Sequence, residues 1–87
     1  EFDNSNSYFY SHLGNIFSKL ESYDKAIEYQ LKAIELNQSE SLFYKRLAEV
    51  YWLIGNIIDA KLYYKKAIEF NDNIDYYYNH NYGLLLY

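Results

Sequence analysis

The chain repeats itself at a spacing of 34 residues: Tyr10 and Leu13 return as Tyr44 and Leu47, and Ala26 and Ala33 as Ala60 and Ala67. Tyr29 and Asn37 return as Tyr63 and Asn71, and the run Lys32-Ala33-Ile34-Glu35 as Lys66-Ala67-Ile68-Glu69. A fixed period of this length is the signature of a stacked helical repeat, in which no unit buries its apolar face alone and each covers the next. A one-off globular fold would not return the same residue types to the same places. Such a stack usually works by presenting a surface.

Within each period the apolar spacing is helical. Phe9, Tyr10, Leu13, Ile16, Phe17 and Leu20 follow steps of three and four, which predicts a helix from Ser7 to Leu20 with these residues on one face. Glu21-Ser22 breaks the pattern, and Ser22 is a candidate cap for a second helix, Tyr23 to Leu36, with Ala26, Ile27, Leu31, Ala33 and Ile34 directed inward. Glu28 and Lys32 form an i,i+4 pair on its exposed side. Asn37 to Ser39 is a turn. The cycle then repeats: a helix from Ser41 to Ile54, Gly55 at a position suited to left-handed backbone, Asn56 as cap, and a fourth helix to about Phe70. A fifth helix is expected from Asp75 toward Tyr87, with Gly83 inside it. Connections of two to four residues require consecutive helices to run antiparallel. Alanines seven apart, Ala26 with Ala33 and Ala60 with Ala67, let paired helices approach closely; Gly14 and Ala48 serve the same purpose on the first helices.

Composition narrows the function classes. At 51% hydrophobic and 23% charged, the 87 residues are of globular type. The 13 tyrosines fit either the codon bias of an AT-rich genome or a surface built for stacking on a ligand. A net charge of −4 argues against nucleic acid, which demands a basic face. The absence of cysteine excludes disulfides and thiolate metal sites. No apolar run approaches the roughly 18 residues that span a membrane. With no signal peptide and no methionine, the chain reads as a cytoplasmic segment of a longer protein, and residues 1–6 as a frayed or cloning-derived tail.

The pattern resembles the tetratricopeptide repeat family, whose unit is a 34-residue helix–turn–helix with an aromatic, Leu-Gly, aromatic pattern in its first helix and small residues in its second. Residues 7–40 carry Tyr10, Leu13-Gly14, Phe17, Ala26 and Ala33; residues 41–74 carry Tyr44, Leu47-Ala48, Tyr51, Ala60, Tyr64 and Ala67; residues 75–87 begin a third unit. The sequence departs from the family where its loop proline is replaced by Gln38 and Asp72, and where its turn glycine is replaced by Glu21. The resemblance implies an all-α fold: about two and a half antiparallel helix pairs, five helices in all, stacked in a right-handed superhelical solenoid. It implies a protein–protein interaction module with no enzymatic activity and no cofactor.

The resemblance also implies that the first helices line a concave groove. Residues there that do not point into the core are the candidate contacts: Tyr8, Ser11, His12, Asn15 and Ser18 in the first unit, and Leu42, Lys45, Arg46, Glu49 and Trp52 in the second. His12, Arg46 and His80 stack as a column, readable as a contact to a partner carboxylate or as a solvated row. Helices about 8–10 Å apart put His12 and His80 too far apart to share a metal ion. Trp52 reads either as packing or as the groove's best anchor, and Lys45 and Glu49 can simply pair with each other. Ser11 and His12 are adjacent on one helix, about 100° apart, and do not form a nucleophile–base pair. The resemblance suggests one well-known partner class, chaperone C-terminal tails, and then argues against it. Of the positions that such a clamp uses, here Ser11, Asn15, Arg46, Tyr76 and His80, only Asn15 carries the required residue type.

The third unit stops before its covering helix. Tyr78, Tyr82, Leu84, Leu85 and Tyr87 would then leave apolar surface open to a second copy or to another chain. Three readings follow: an interaction module that takes a partner peptide or helix, a structural or self-associating segment of a longer solenoid, and a regulatory module fused to an enzyme.

Overall fold

The computed structural model describes residues 4–70. They form four helices, α1 (Asn4–Lys19), α2 (Tyr23–Leu36), α3 (Ser41–Leu53) and α4 (Ile57–Phe70), with no strand among the described residues. Helix α1 begins at Asn4, three residues before the start expected at Ser7, so residues 4–6 extend the helix. The expected fifth helix lies outside the described residues, as do His80, Gly83 and the proposed self-association residues Tyr78, Tyr82, Leu84, Leu85 and Tyr87.

Three devices hold each helix pair together, and each recurs 34 residues on. The first is a small-residue contact. Gly14 of α1 meets Ala26 and Gln30 of α2 so closely that a Cβ at position 14 would lie 2.7 Å from Gln30 Nε2 and 3.0 Å from the Ala26 carbonyl oxygen. In the second pair the equivalent trio is Ala48, Ala60 and Tyr64, all fully buried in one cluster. The second device is an aromatic ladder. Tyr29 stacks between Tyr10 and Phe17 with centroids 6.0 and 5.5 Å away, and Tyr63 stacks between Tyr44 and Tyr51 at 6.3 and 5.6 Å. Each such contact is worth about 0.5–1.5 kcal/mol beyond the area buried.

The third device is the turn. Helix α1 ends with Glu21 N–H donating to the Ser18 carbonyl and Ser22 N–H to the Phe17 carbonyl; α3 ends with Gly55 donating to Trp52 and Asn56 to Tyr51. Both are Schellman closures, which require left-handed backbone at the residue after the helix. Gly55 adopts φ 84°, and Glu21 adopts φ 63° in the equivalent place without glycine's freedom. Asn56 caps α4 as expected: its Oδ1 accepts from Asp59 N–H at 3.3 Å, and its amide donates back to Asp59 Oδ2 at 2.8 Å. Ser22 does not cap α2 with its side chain, because its φ of −92° and ψ of 72° answer to the closure of α1. At the start of α3 the cap is Glu40, whose carboxylate accepts from Leu42 N–H.

Antiparallel pairing follows from the partners: residue 10 meets 29 and 14 meets 26 in the first pair, and 44 meets 70 while 51 meets 63 in the second. Between the pairs, α1 and α3 run parallel. Tyr8 packs edge-on against Phe43, and Ser11 and His12 lie beside Arg46, so the offset stays at about one repeat. Like therefore layers on like.

The buried stripe of α1 differs from the one that hydrophobicity suggests. Ser7, Ser11 and Gly14 are fully enclosed, whereas Phe9, Ile16 and Leu20 are each more than half exposed. On α2, Gln30 is buried with Ala26 and Ala33, and Leu31, expected inward, is exposed. Ala26, Gln30 and Ala33 are spaced i, i+4, i+7 and so share the contact face; Leu31 stands about 100° away from it. Where two helices approach this closely, residue size and hydrogen-bonding partner decide what is enclosed.

Candidate partner-binding groove

The parallel helices α1 and α3 flank a cleft of about 250 Å³ lined by Asn15, Ser18, Lys19, Gln30, Arg46, Glu49, Val50 and Leu53. Asn15, Ser18, Arg46 and Glu49 were expected there. They sit on the turns of α1 and α3 left uncovered where each helix packs against its own partner.

A buried polar network forms one wall. Ser11 Oγ donates to Gln30 Oε1 at 2.8 Å, and Gln30 Nε2 donates back to the Ser11 backbone carbonyl at 2.9 Å. Arg46 Nη1 donates to Ser11 Oγ at 3.0 Å and lies 3.4 Å from His12 Nδ1, which can accept when the ring proton is on Nε2. Ser11 was expected to face a partner. It is fully buried instead, and its role is to hold Gln30 and Arg46. The physical reason is satisfaction of polar groups: Gln30 occupies the place of Tyr64 in the second unit and needs a partner that an apolar neighbour could not supply.

The remaining expected residues are spread along the same side. Tyr8 lies near the far end of α1, its hydroxyl donating to Glu40 and its ring against Phe43; that hydrogen bond, together with burial and the Glu40 charge, pushes the phenol up. His12 is exposed, and Lys45 is half-buried. Trp52, at 36% exposure, does not line the cleft, while Ser18, its counterpart one repeat earlier, does. Burial lowers the Arg46 guanidinium below its ordinary value, with Glu49 acting the other way. Burial likewise pushes the Glu49 carboxyl up, opposed by Lys45 and then Arg46.

Sequence reasoning did not propose Lys19, Gln30, Val50 or Leu53 for the cleft. Val50 and Leu53 stand four and seven residues after Arg46, one and two turns along the same face of α3, so that spacing was a signal for both. Gln30 belongs to the contact face of α2, a second helix, and reaches the cleft hydrogen-bonded to Ser11. A second, outward-facing hollow of about 410 Å³ lies on the first pair, lined by Tyr10, Glu28, Tyr29, Leu31, Lys32 and Glu35. There Lys32 Nζ sits 5.7 Å from the centre of the Tyr10 ring.

Among the described residues no group of three or more His, Cys, Asp or Glu side chains is placed to hold a metal ion, and no helix is long and apolar enough to cross a membrane. Paired antiparallel helices that return every 34 residues, with an open cleft between successive first helices, define a helical-repeat protein. The family model for the tetratricopeptide repeat matches residues 7–40 and 43–74, and the chain belongs to that family. No curated protein matches the chain. Tetratricopeptide repeats are generally protein–protein interaction modules, typically non-enzymatic scaffolds.

Proposed function

We propose that this chain is a protein–protein interaction module that takes an extended peptide or a helix of a partner along the face formed by α1 and α3. The observation that carries the reading is the cleft between these helices, where Asn15, Ser18, Arg46 and Glu49 stand beside Val50 and Leu53. A few polar groups converging beside an apolar strip suit a bound segment whose orientation must be fixed. The site is preformed in the isolated chain, so binding needs little backbone rearrangement. In this reading the units are 7–40, 41–74 and a third begun at 75–87, in a right-handed solenoid. The proposed setting is cytoplasmic, and chaperone tails are not the expected partner.

The test is a selection of displayed peptides against the full chain, followed by rebinding to variants. Arg46→Glu and Leu53→Asp are expected to abolish binding, while Glu28→Lys on the outward face leaves it intact. Peptides that survive both groove changes and are lost with Glu28→Lys would move the interface to the other side.

A second reading, self-association within or between solenoids, is favoured by the aliphatic stripe on α4. Ile58 and Leu62 lie one turn apart and exposed, where α2 carries Asp24 and Glu28. Sedimentation at micromolar concentration checks it; a strict monomer counts against it.

A further inference from the structure

We propose that the groove recognises an internal carboxylate of an acidic partner segment, with Arg46 as the anchor and the buried Ser11–Gln30 pair as the latch that aims it. The inference rests on the groove reading above and names the chemistry of the segment that fits there.

Charge is the first argument. Although the chain as a whole carries −4, helices α1 and α3 bear Lys19, Lys45 and Arg46 against Glu49 alone. The second helices, α2 and α4, carry five acids and five bases between them. Within the cleft itself Lys19 and Arg46 stand against Glu49, a small positive excess in an acidic protein. Such local charge, not net charge, selects a partner of opposite sign and speeds its approach.

The latch is the second argument. The Ser11 hydroxyl proton is committed to Gln30 Oε1, and the Gln30 amide to the Ser11 carbonyl. Only the lone pairs of Ser11 Oγ remain to face Arg46, so the contact holds Arg46 as donor and in one place. Both hydrogen bonds that Arg46 makes among the described residues leave through Nη1. Nη2 and Nε form no hydrogen bond to a described residue, so both are available to a ligand in the cleft that Arg46 lines, in the planar fork that matches a carboxylate. A guanidinium already ordered and partly out of water loses less on binding than a free one.

An apolar neighbour completes the fit. Val50 is enclosed, and Leu53, more than half exposed in the same cleft as Arg46, offers the apolar contact. A segment with an aliphatic side chain close to its acid can therefore seat both at once. Glu49 shares the cleft and competes for Arg46, which makes it a brake on acidic ligands.

The test uses synthetic seven-residue peptides titrated into the full chain, read by amide chemical shifts and by the fluorescence of Trp52. The first peptide, blocked at both ends, carries glutamate two residues before leucine. The second replaces that glutamate by glutamine. The third keeps the glutamine and has a free C-terminus. The blocked glutamate peptide is expected to bind about tenfold more tightly than its glutamine counterpart, the increment of one charge-assisted contact. Arg46→Gln should erase that preference. Ser11→Ala should reduce it severalfold with helical content retained, and Glu49→Gln should strengthen binding of the glutamate peptide alone.

Equal affinity for the blocked glutamate and glutamine peptides, or a preference that survives Arg46→Gln, overturns the carboxylate anchor. The groove reading stands in that case if the glutamine peptide still shifts α1 and α3 resonances. Tighter binding of the free C-terminus overturns the internal source. An unchanged preference in Ser11→Ala overturns the latch, and failure of every peptide to bind overturns the proposal.

Discussion

Glu21 is the point at which the first unit carries strain that the second avoids, and exchanging glycine between the two turns measures it. Both turns close with the same pair of backbone hydrogen bonds, yet one has Gly55 at φ 84° and the other Glu21 at φ 63°. Left-handed backbone costs an L-residue about 1–2 kcal/mol relative to glycine. Glycine returns about 0.4–1 kcal/mol of this through the greater entropy of its unfolded chain. Glu21→Gly is therefore expected to stabilise by about 0.5–1 kcal/mol. Removing an exposed anion from a helix C-terminus adds a smaller gain of the same sign. For a domain of this size, 1 kcal/mol moves Tm by about 4–8 °C, so an upward shift of about 2–8 °C is expected. Gly55→Ala should shift it downward by a similar amount, since nothing lies within 4 Å of the added Cβ and backbone conformation is the dominant change. Glu21→Ala separates charge from conformation, because it removes the anion and keeps the strained φ; it should recover only the smaller part. Thermal and urea unfolding followed by the helical circular dichroism signal reads all three. The reasoning fails if Glu21→Gly leaves Tm unchanged while Gly55→Ala lowers it. The two turns would then not share one conformational cost.

Three further outcomes follow from packing and charge. Gly14→Ala should destabilise by about 1–3 kcal/mol despite alanine's better helix propensity, because its Cβ meets the Ala26 carbonyl at 3.0 Å and that backbone cannot yield as a side chain would; urea midpoints check it. Ala33→Leu, at a fully buried contact, should cost about 1–3 kcal/mol in the same assay. Glu49→Gln should stabilise at neutral pH, because burial holds the folded carboxyl above its ordinary value of 4.5 and its ionised form is disfavoured. The folded state then binds the extra proton, so wild-type stability rises as pH falls from above the raised folded pKa toward 4.5. The gap to Glu49→Gln should close over that interval, and a gap that widens there would reverse the sign of the argument.

The repeat, and with it the all-α fold of paired helices, was legible in the sequence, because a 34-residue return of small and aromatic side chains marks helix pairs that cover one another. Helix α2 falls within the predicted bounds, and Gly55 and Asn56 do what their residue types favour: left-handed φ without a Cβ, and a short amide within reach of the first free N–H groups. Arg46, Asn15 and Glu49 were legible as residues on the shared side of α1 and α3, since their spacing and polarity set them off from the contact stripe. Ser11 and Gln30 were not. A polar side chain on a first helix reads as solvent-facing, and only the neighbouring helix decides otherwise by supplying the matching amide at 2.8 Å. Leu31 and Ile16 illustrate the converse, apolar side chains left outside because the close contact beside them admits only small residues or bonded ones.

The linear order of residues, on its own, determined the period, the helical character and the antiparallel pairing, because these depend on local spacing and on short connections. Tertiary structure alone decided which polar groups are enclosed and how Arg46 is held. Those depend on distances between side chains 19 and 35 positions apart, and no local preference encodes a distance across two helices.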